Sequence, residues 1–523
     1  TGMGKGFHYV QENHRFFTEL QAEYHQKMCV ASLTTDLPST SSAPFPLLKL
    51  DYWKHHDCHA MSAIIPSGFK STNFFTCDGE GQTEAGIMGH FIEKSGMTQL
   101  GYIDQMSTIG GFYAAATGFL GFTPHKHEGK VMGLACYGKV NTEAYPLNFH
   151  YNKDGLKLPM LAEWKKFIWK DMDPALRRKI QGNYISEEGT SFAATVQHYF
   201  EEMILYNIKR LNEINPCDNL VLAGGSFLNC TCNGKIAREI PNVWIQPGAA
   251  DQGTALGAAI LSWKDLTGEW PNIKMDTAYL GRSFASGDIE EVLKNKGIEY
   301  THTPKPSEIL AKLIHENNVV GWFQEESEIG PRALCHRSII ANPMYQENLD
   351  RVNKIKNREF WRPLAPVMME EHLSEITDAD KPSPFMLKAF KVKKEWRDKI
   401  PACTHVDLSC RPQSVNAIQN AGIYEALKSF KKLSGVPVFM NTSFNVAEEP
   451  LVDTPINAIR TFAKSGMDYL IIGNFVIAAK DNKEFIENVD SLITHEENAD
   501  PVWNNNWKKW TIEVGDKYRR FKG

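Results

Sequence analysis

Residues Lys54 to Gly81 read K-H-H-D-C-H-A-M-S-A-I-I-P-S-G-F-K-S-T-N-F-F-T-C-D-G-E-G. His55 and His59 are four apart, so on a helix they share one face. Two imidazoles in that relation can hold one metal ion. A short apolar run, Asn73 to Cys77, then ends at Asp78-Gly79-Glu80-Gly81. A strand that delivers Asp78 to the same point adds a hard oxygen ligand. The glycines after it let the backbone approach a phosphate closely. Alone, a His-x3-His pair is more often two ordinary surface or core histidines. The Asp-Gly-Glu-Gly turn and matching units downstream favour a metal-dependent site that handles phosphate chemistry.

Two further strand-turn-helix units follow. In N-L-V-L-A-G-G-S-F-L-N-C-T-C-N-G, Leu220 to Ala223 reads as a buried strand, and Gly224-Gly225 opens a turn into a helix carrying Asn229 and Asn233. Backbone N–H groups at such a helix start suit a phosphate or nucleotide. In V-W-I-Q-P-G-A-A-D-Q-G-T-A-L-G-A-A-I, Asp251 comes after a short strand and before a small-residue helix. His55, His59, Asp78 and Asp251 can therefore converge on one ion from strand ends. An all N/O set suits Fe(II) best here, with Mn(II) or Zn(II) as alternatives. Between these units, Gly110 to Gly138 is rich in glycine and small residues and concentrates His125, His127, Glu128 and Lys130. Residues 188 to 213 carry Phe192, Val196, Tyr199, Met203 and Tyr206 on one stripe and read as a core-facing helix.

A second block opens with a helix over Ile309 to Asn317 and a strand over Val319 to Phe323. Four dense segments follow: S-E-I-G-P-R-A-L-C-H-R-S from Ser327, N-K-I-K-N-R-E-F-W-R-P-L-A-P from Asn353, T-H-V-D-L-S-C-R-P-Q from Thr404, and V-F-M-N-T-S-F-N from Val438. They set Arg332, Arg337, Lys356, Arg358, Arg362 and Arg411 beside hydroxyls and carboxamides. Guanidinium forks match phosphate and carboxylate oxygens. Ser443 and Asn445 lie two apart after an apolar run, so on a strand edge they face the same way. Leu451 to Phe462 reads as loop then helix, and Tyr469 to Ala479 as strands. Residues 9 to 29 read as a helix, and Pro38 to Pro46 as a loop.

The 523 residues suffice for two or three domains. A net charge of -5 gives no global basic field for nucleic acid. Ten scattered cysteines, with no paired C-x-x-C framework, fit a reduced, cytoplasmic protein. No apolar run approaches the length of a membrane span, and no signal peptide is visible.

These motifs resemble the O-carbamoyltransferase family of nodulation and antibiotic biosynthesis (NodU/CmcH type), over roughly residues 50 to 480. H-H-x-x-H-A, D-G-x-G, H-E-G-K-V-M-G-L-A, G-G-x-x-x-N-C, D-x-G-T-A-L-G-A-A, G-P-R-A-L, R-P-x-A-P and N-T-S-F-N all stand in family order. The resemblance implies an α/β chain: an actin-like ATPase (TsaD-like) domain over residues 1–290, a YrdC-like α/β domain over 291–490 and an extension over 491–523. It assigns His55, His59, Asp78 and Asp251 to the metal, with His55 and Asp78 catalytic. It places Lys130, Gly224, Gly225 and Asn229 near the nucleotide. It matches the paired signature K-x-R and S-x-N to Lys356, Arg358, Ser443 and Asn445. With Arg332, Arg362, Arg411 and Asn441, these would bind carbamoyl phosphate and ATP, Lys356 and Arg358 taking part in catalysis. ATP with Mg(II) is the implied co-substrate, a small hydroxylated molecule the acceptor, and a homodimer an open option.

The family's usual opening hairpin, G-x-x-x-x-H-D-x-S-A followed by E-E-R-F, is not seen, which leads us to expect that those strands were cleaved, disordered or omitted. Cys335 stands where relatives carry Gly after G-P-R-A-L. Glu325-Glu326-Ser327 replaces G-R-x, and Leu408-Ser409-Cys410 replaces G-T-A. Two other functions compete: tRNA threonylcarbamoylation by a fused protein, and a nucleotide-sensing or scaffold protein without catalysis. The R-P-x-A-P and N-T-S-F-N versions argue against the first, and the intact ligand residues against the second. For a proton acceptor in transfer, His127 and Asp57 are the candidates.

Overall fold

The computed structural model describes residues 53–147 and 174–493, Glu448 excepted. The helix expected over 9–29, the loop over 38–46 and most of the C-terminal extension lie outside the described residues. The chain divides into two compact units between Met275 and Asp276.

The first unit is built on a five-stranded sheet of order β3-β2-β1-β4-β5. Its strands are β1 (Ser71–Cys77), β2 (Glu84–Ile92), β3 (Gly96–Asp104), β4 (Asn219–Ala223) and β5 (Asn242–Ile245). β1, β4 and β5 are parallel, and β2 and β3 complete the sheet as antiparallel neighbours. β1 is buried on both faces beyond its first residue, which explains its apolar run rather than an alternation. Helix α1 (His55–Ser67) precedes β1, and its apolar residues from Ala60 to Ile64 are buried all round. Pro66 in its last turn has no N–H for the Ser62 carbonyl; the side chain of Gln246 donates to that oxygen instead. The helix stops at Gly68, with φ 75. The other helices include α2 (Ile109–Phe119), α3 (Glu128–Ala135), α4 (Pro174–Ile180), α5 (Glu187–Ile214), α6 (Cys230–Glu239) and α7 (Thr254–Thr267). The long core helix expected over 188–213 is α5, capped by Ser186, whose hydroxyl accepts from the Gly189 N–H at 3.0 Å.

The second unit carries an eight-stranded mixed sheet of order β12-β9-β13-β8-β7-β14-β15-β6. These strands are β6 (Thr301–His302), β7 (Val320–Phe323), β8 (Arg337–Ala341), β9 (Ala365–Met369), β12 (Gln413–Val415), β13 (Val438–Ser443), β14 (Tyr469–Ile472) and β15 (Phe475–Ala478); β10 (Phe390–Lys391) and β11 (Ser409–Cys410) form a separate pair. Two apolar cores fill its faces. Trp322, Ile340 and Phe439 point to one, and their neighbours Phe323, Ile339 and Met440 to the other, the period-two alternation of strands covered on both sides. Helices α8 (Ser286–Asn295), α9 (Pro306–His315), α10 (Glu347–Ile355), α11 (Ala421–Ser434) and α12 (Pro455–Ser465) flank it. Ile423, Leu427 and Phe430 of α11 join the first core, and Ile459 and Phe462 of α12 the second. The architecture is the expected α/β one, two sheets each in its own unit.

Candidate functional site

In the first unit the parallel strands deliver the chemistry. Asp78 follows β1, Gly224-Gly225 follows β4, and Asp251 follows β5, all beyond the carboxyl ends of parallel strands, where ligands of open α/β sheets bind. His55 and His59 approach from the first turns of α1. Their Nε2 atoms are 3.1 Å apart. His59 Nε2 lies 3.1 Å from Asp78 Oδ2 and 3.5 Å from Asp251 Oδ1, and His55 Nε2 is 3.6 Å from the same Asp251 oxygen. One donor atom from each of the four residues lies within 4.8 Å of the other three. Ligands about 2.0–2.2 Å from a shared ion, at roughly 90–110° to one another, are themselves roughly 2.8–3.6 Å apart. The measured separations match that range, so the residues present fit an ion.

The electrostatics are those of a tight donor cluster. Burial and the charge on His59 push His55 below its usual range. Burial also acts against His59, but hydrogen bonds and charge from Asp251 and Asp78 prevail and raise it. Burial works to raise Asp78, yet the His59 contact and the Gly79 and Gly225 N–H groups bring it to about 2. Those N–H groups reach Asp78 Oδ1 at 2.7 Å and Oδ2 at 3.2 Å. Two imidazolium rings cannot share a 3.1 Å contact, so at most one is charged. His56, between them, is structural: its ring nitrogens bond Thr76 Oγ1 and the Glu84 carbonyl, both at 3.0 Å, and burial drives it to about 3.

The turn that carries Asp78 is clamped from three sides. Thr108, the cap of α2, donates to the Asp78 carbonyl at 3.2 Å and to the Gly79 carbonyl. Gly224 sits at φ 98 against β1, where a Cβ would stand 2.2 Å from the Cys77 carbonyl. Thr108 was not foreseen from sequence; a Thr before I-G-G is an ordinary cap signal that names no ligand. His125 was seen only as part of a cluster. It adopts φ 63, unusual for a residue with a Cβ, and its ring lies over Gly79. Of the two candidate proton acceptors, His127 Nδ1 accepts from the Thr123 N–H at 3.1 Å, and Asp57 is raised by burial.

The residues expected near a nucleotide are partly engaged already. The Gly224 N–H donates to the Ala249 carbonyl at 2.7 Å, and the Gly225 N–H to Asp78. Asn229 caps α6 through the Cys232 N–H at 3.1 Å, and its amide exchanges hydrogen bonds with Gln197 at 3.1 and 2.9 Å. Lys130 lies 5.5 Å from the centre of the Phe122 ring.

In the second unit, Lys356 ends α10 with its ammonium buried. It donates to the Ser443 carbonyl at 2.6 Å, Ser443 Oγ at 3.1 Å, the Asn445 carbonyl at 2.8 Å and Asn445 Oδ1 at 2.7 Å. The lysine of K-x-R thus meets the S-x-N residues directly. Arg358 bonds Asn353 Oδ1 at 2.6 Å. Burial and the charges of Arg362 and Arg411 bring it down to about 9. Burial lowers Lys356 well below its usual range, with Arg358 and Arg362 adding to it. Arg362 is lowered by burial too, Glu359 at 3.8 Å opposing. Arg358 Nη2 and Arg411 Nε are buried with no hydrogen-bond partner among the described residues. Clustered buried cations of this kind call for an anion. Asn441 Nδ2 donates to the Ala333 carbonyl at 3.1 Å, which ties it to the half-buried Arg332.

Arg337 plays a different part. Its guanidinium is wholly buried, packs 3.7 Å from the Phe323 ring centre, and donates to the carbonyls of Gln324, His336, Arg282 and Glu325. It holds backbone together. Cys335 sits at φ 75, the conformation that suits the Gly expected there.

Each of the two units has a family counterpart. Residues 15–260 match the family description "Carbamoyltransferase N-terminus" and residues 311–479 match "Carbamoyltransferase C-terminus". The chain belongs to the carbamoyltransferase family and is a transferase enzyme. An uncharacterised Synechocystis protein, sll1178, is 34% identical over 88% of this chain and 81% of its own. The nodulation protein NolO of Bradyrhizobium diazoefficiens is 32% identical over 81% of this chain and 78% of its own. The 3'-hydroxymethylcephem-O-carbamoyltransferase of Amycolatopsis lactamdurans is 32% identical over 49% of this chain and 48% of its own. Among solved structures, HypF of T. kodakarensis aligns at a TM-score of 0.28 and 12% identity, over 41% of this chain and 37% of that one, too low to bear on the fold. No helix among the described residues is long and apolar enough to cross a membrane.

Proposed function

We propose that the protein is an ATP-dependent O-carbamoyltransferase acting on a hydroxyl of a small molecule. The observation that carries this reading is the clustering of the buried Lys356 with the half-buried Arg358 and Arg362, with one carboxylate, Glu359, beside them. Carbamoyl phosphate binds there through its phosphate, held by Arg332, Arg358, Arg362 and Arg411. Water cleaves it to carbamate and phosphate. A carbamate oxygen attacks the α-phosphorus of ATP, and pyrophosphate leaves, giving carbamoyl-adenylate. Fixed guanidinium and ammonium groups offset the charge that builds on phosphorus. Lys356, gripped by Ser443 and Asn445, is positioned rather than mobile.

Transfer takes place at His55, His59, Asp78 and Asp251. These residues would hold a divalent ion, Fe(II) by donor preference, which when bound supplies Lewis-acid polarisation. The acceptor hydroxyl attacks the carbamoyl carbon, AMP leaves, and the hydroxyl proton passes to a nearby base. The products are the O-carbamate and AMP. The two 3'-hydroxymethylcephem-O-carbamoyltransferase relatives support a small-molecule acceptor for this chain as well.

The test is pyrophosphate release from ATP with and without carbamoyl phosphate, on the wild type and on Lys356→Ala. Release that needs carbamoyl phosphate and that the variant loses supports the reading. Carbamoyl-phosphate-independent release, or none from metal-replete protein, overturns it.

A further inference from the structure

Helix α7 of the first unit is apolar on two sides. Its inner side buries Gly257 and Ile260, and Leu256 and Leu261 pack against the same core. Its outer side carries Ala255, Ala259, Trp263 and Leu266, at helical spacing and therefore on one face. All four are exposed, Trp263 at 52% and Leu266 at 82%. No charged residue stands between Thr254 and Trp263. Single exposed apolar residues are ordinary on a protein surface. A helix that is apolar on opposite sides is one that packs on both.

Trp53 shows what stands beside that face. It is the first described residue, just ahead of α1, and its indole Nε1 donates to Ser262 Oγ of α7 at 2.9 Å. Ser262 adjoins Trp263 and lies one turn from both Ala259 and Leu266. The chain that leads to Trp53, 52 residues of it, therefore arrives at the border of the outer face. Its last six residues, from Leu47, read L-L-K-L-D-Y, with Leu48, Leu50 and Tyr52 alternating with Lys49 and Asp51. The N-terminal family match runs unbroken from residue 15 to 260, so these residues and α7 belong to one domain. Six residues of chain reach at most about 20 Å. The outer face, from Ala255 to Leu266, is about 17 Å long at a helical rise of about 1.5 Å per residue.

We propose that residues 47–52 lie along the outer face of α7 and cover Ala255, Ala259, Trp263 and Leu266. The alternation supplies an apolar side to set against the helix and sends Lys49 and Asp51 to the other side. Ala255 and Ala259 are short enough for a second segment to come close, and Trp263 and Leu266 supply most of the apolar area to be removed from water. A second copy of the chain, or a separate partner, would have to occupy a face whose border already holds Trp53 and the chain leading to it.

The test places the photo-crosslinker p-benzoylphenylalanine in the full chain in place of Leu266. After irradiation the crosslinked residues are mapped by mass spectrometry. A crosslink to residues 47–52 of the same chain is expected. A product of twice the chain mass, a crosslink only to other segments, or none, overturns the proposal. Thermal midpoints are then compared for Leu266→Ser, for Leu48→Ser with Leu50→Ser, and for all three substitutions together. Leu266→Ser is expected to lower the midpoint by about 2–5 °C. A shift within about 1 °C is that of a side chain facing water, and overturns the proposal. The three together are expected to lower the midpoint by less than the sum of the two separate shifts, because both sets remove one contact. Simple addition overturns the proposal. Where a substituted chain does not fold, the crosslink decides.

Discussion

Asp78→Asn separates the electrostatic and the metal-binding roles of the His/Asp cluster. In the wild type, the His59 contact and two N–H groups hold the Asp78 carboxyl at about 2, down from 3.8. At ~1.4 kcal/mol per tenfold, that fall is about 2.5 kcal/mol of folding stability at neutral pH. His59 is raised by the same contact, so the energy belongs to the pair and is counted once. Asparagine keeps one oxygen but turns an NH2 either toward the Gly79 N–H or toward the Gly225 N–H and His59. With EDTA at pH 7, the variant is expected to unfold roughly 5–10 °C lower, at 2–4 °C per kcal/mol for a unit of this size. The sign with pH follows from the depressed carboxyl. Its contribution is complete above the unfolded value near 4 and is lost as pH falls toward about 2, so the gap between the two proteins should close over that window. Added Fe(II), Mn(II) or Zn(II) should raise the wild-type midpoint and leave the variant nearly unmoved. A chelated variant as stable as the wild type refutes the electrostatic account. An equal metal-induced rise in both refutes the role of Asp78 as a ligand.

Cys335 at φ 75 should reverse the usual order of small residues: Cys335→Gly is expected to be more stable than Cys335→Ala by about 1 kcal/mol in urea unfolding, because only alanine keeps the backbone strain. Arg337→Met should cost about 2–4 kcal/mol in the same assay, since four carbonyls lose their donor, while phosphate affinity measured by calorimetry stays within about twofold. Gly224→Ala would drive a Cβ to 2.2 Å from the Cys77 carbonyl at φ 98; about 3 kcal/mol or more of stability and most bound metal should be lost, read by thermal melting and metal content per chain.

The sequence was most legible where periodicity and spacing do the positioning. His55 and His59 share a helix face, so four residues of spacing were enough to place both rings together. Asp78 and Asp251 were legible because each follows a strand, β1 or β5, of the parallel set β1, β4 and β5, and parallel strands bring their ends to one edge. The Lys356 contact with Ser443 and Asn445 was legible only through motif resemblance, since 87 and 89 residues separate the partners. Features set by single contacts across the fold were not legible. Nothing in the string shows that Gln246 satisfies the Ser62 carbonyl freed by Pro66, or that Thr108 clamps the Asp78 turn. Strand order in the second sheet was equally hidden, because β8 and β13 pair across a hundred residues of chain.

Arg337 and Arg358 show why motif membership alone does not assign a role. Both stand in dense Arg-rich segments, and guanidinium chemistry suits phosphate in either place. Arg337 spends its donors on four backbone carbonyls, so its constraint is architectural. Arg358 makes one bond to Asn353 and keeps a buried Nη2 without a partner. Four backbone carbonyls meet most of the demand of the buried Arg337 charge, its Nε alone being left without a partner among the described residues, whereas Arg358 has one side-chain bond and leaves a demand that an anion would meet. The same criterion sorts the amides. Asn229 has both ends of its amide engaged, by Gln197 and by the cap of α6, whereas Asn441 has a carbonyl oxygen to spare. Arg358, Arg411 and Asn441 each keep a buried polar atom without a hydrogen-bond partner among the described residues, and they lie in one unit with the buried lysine.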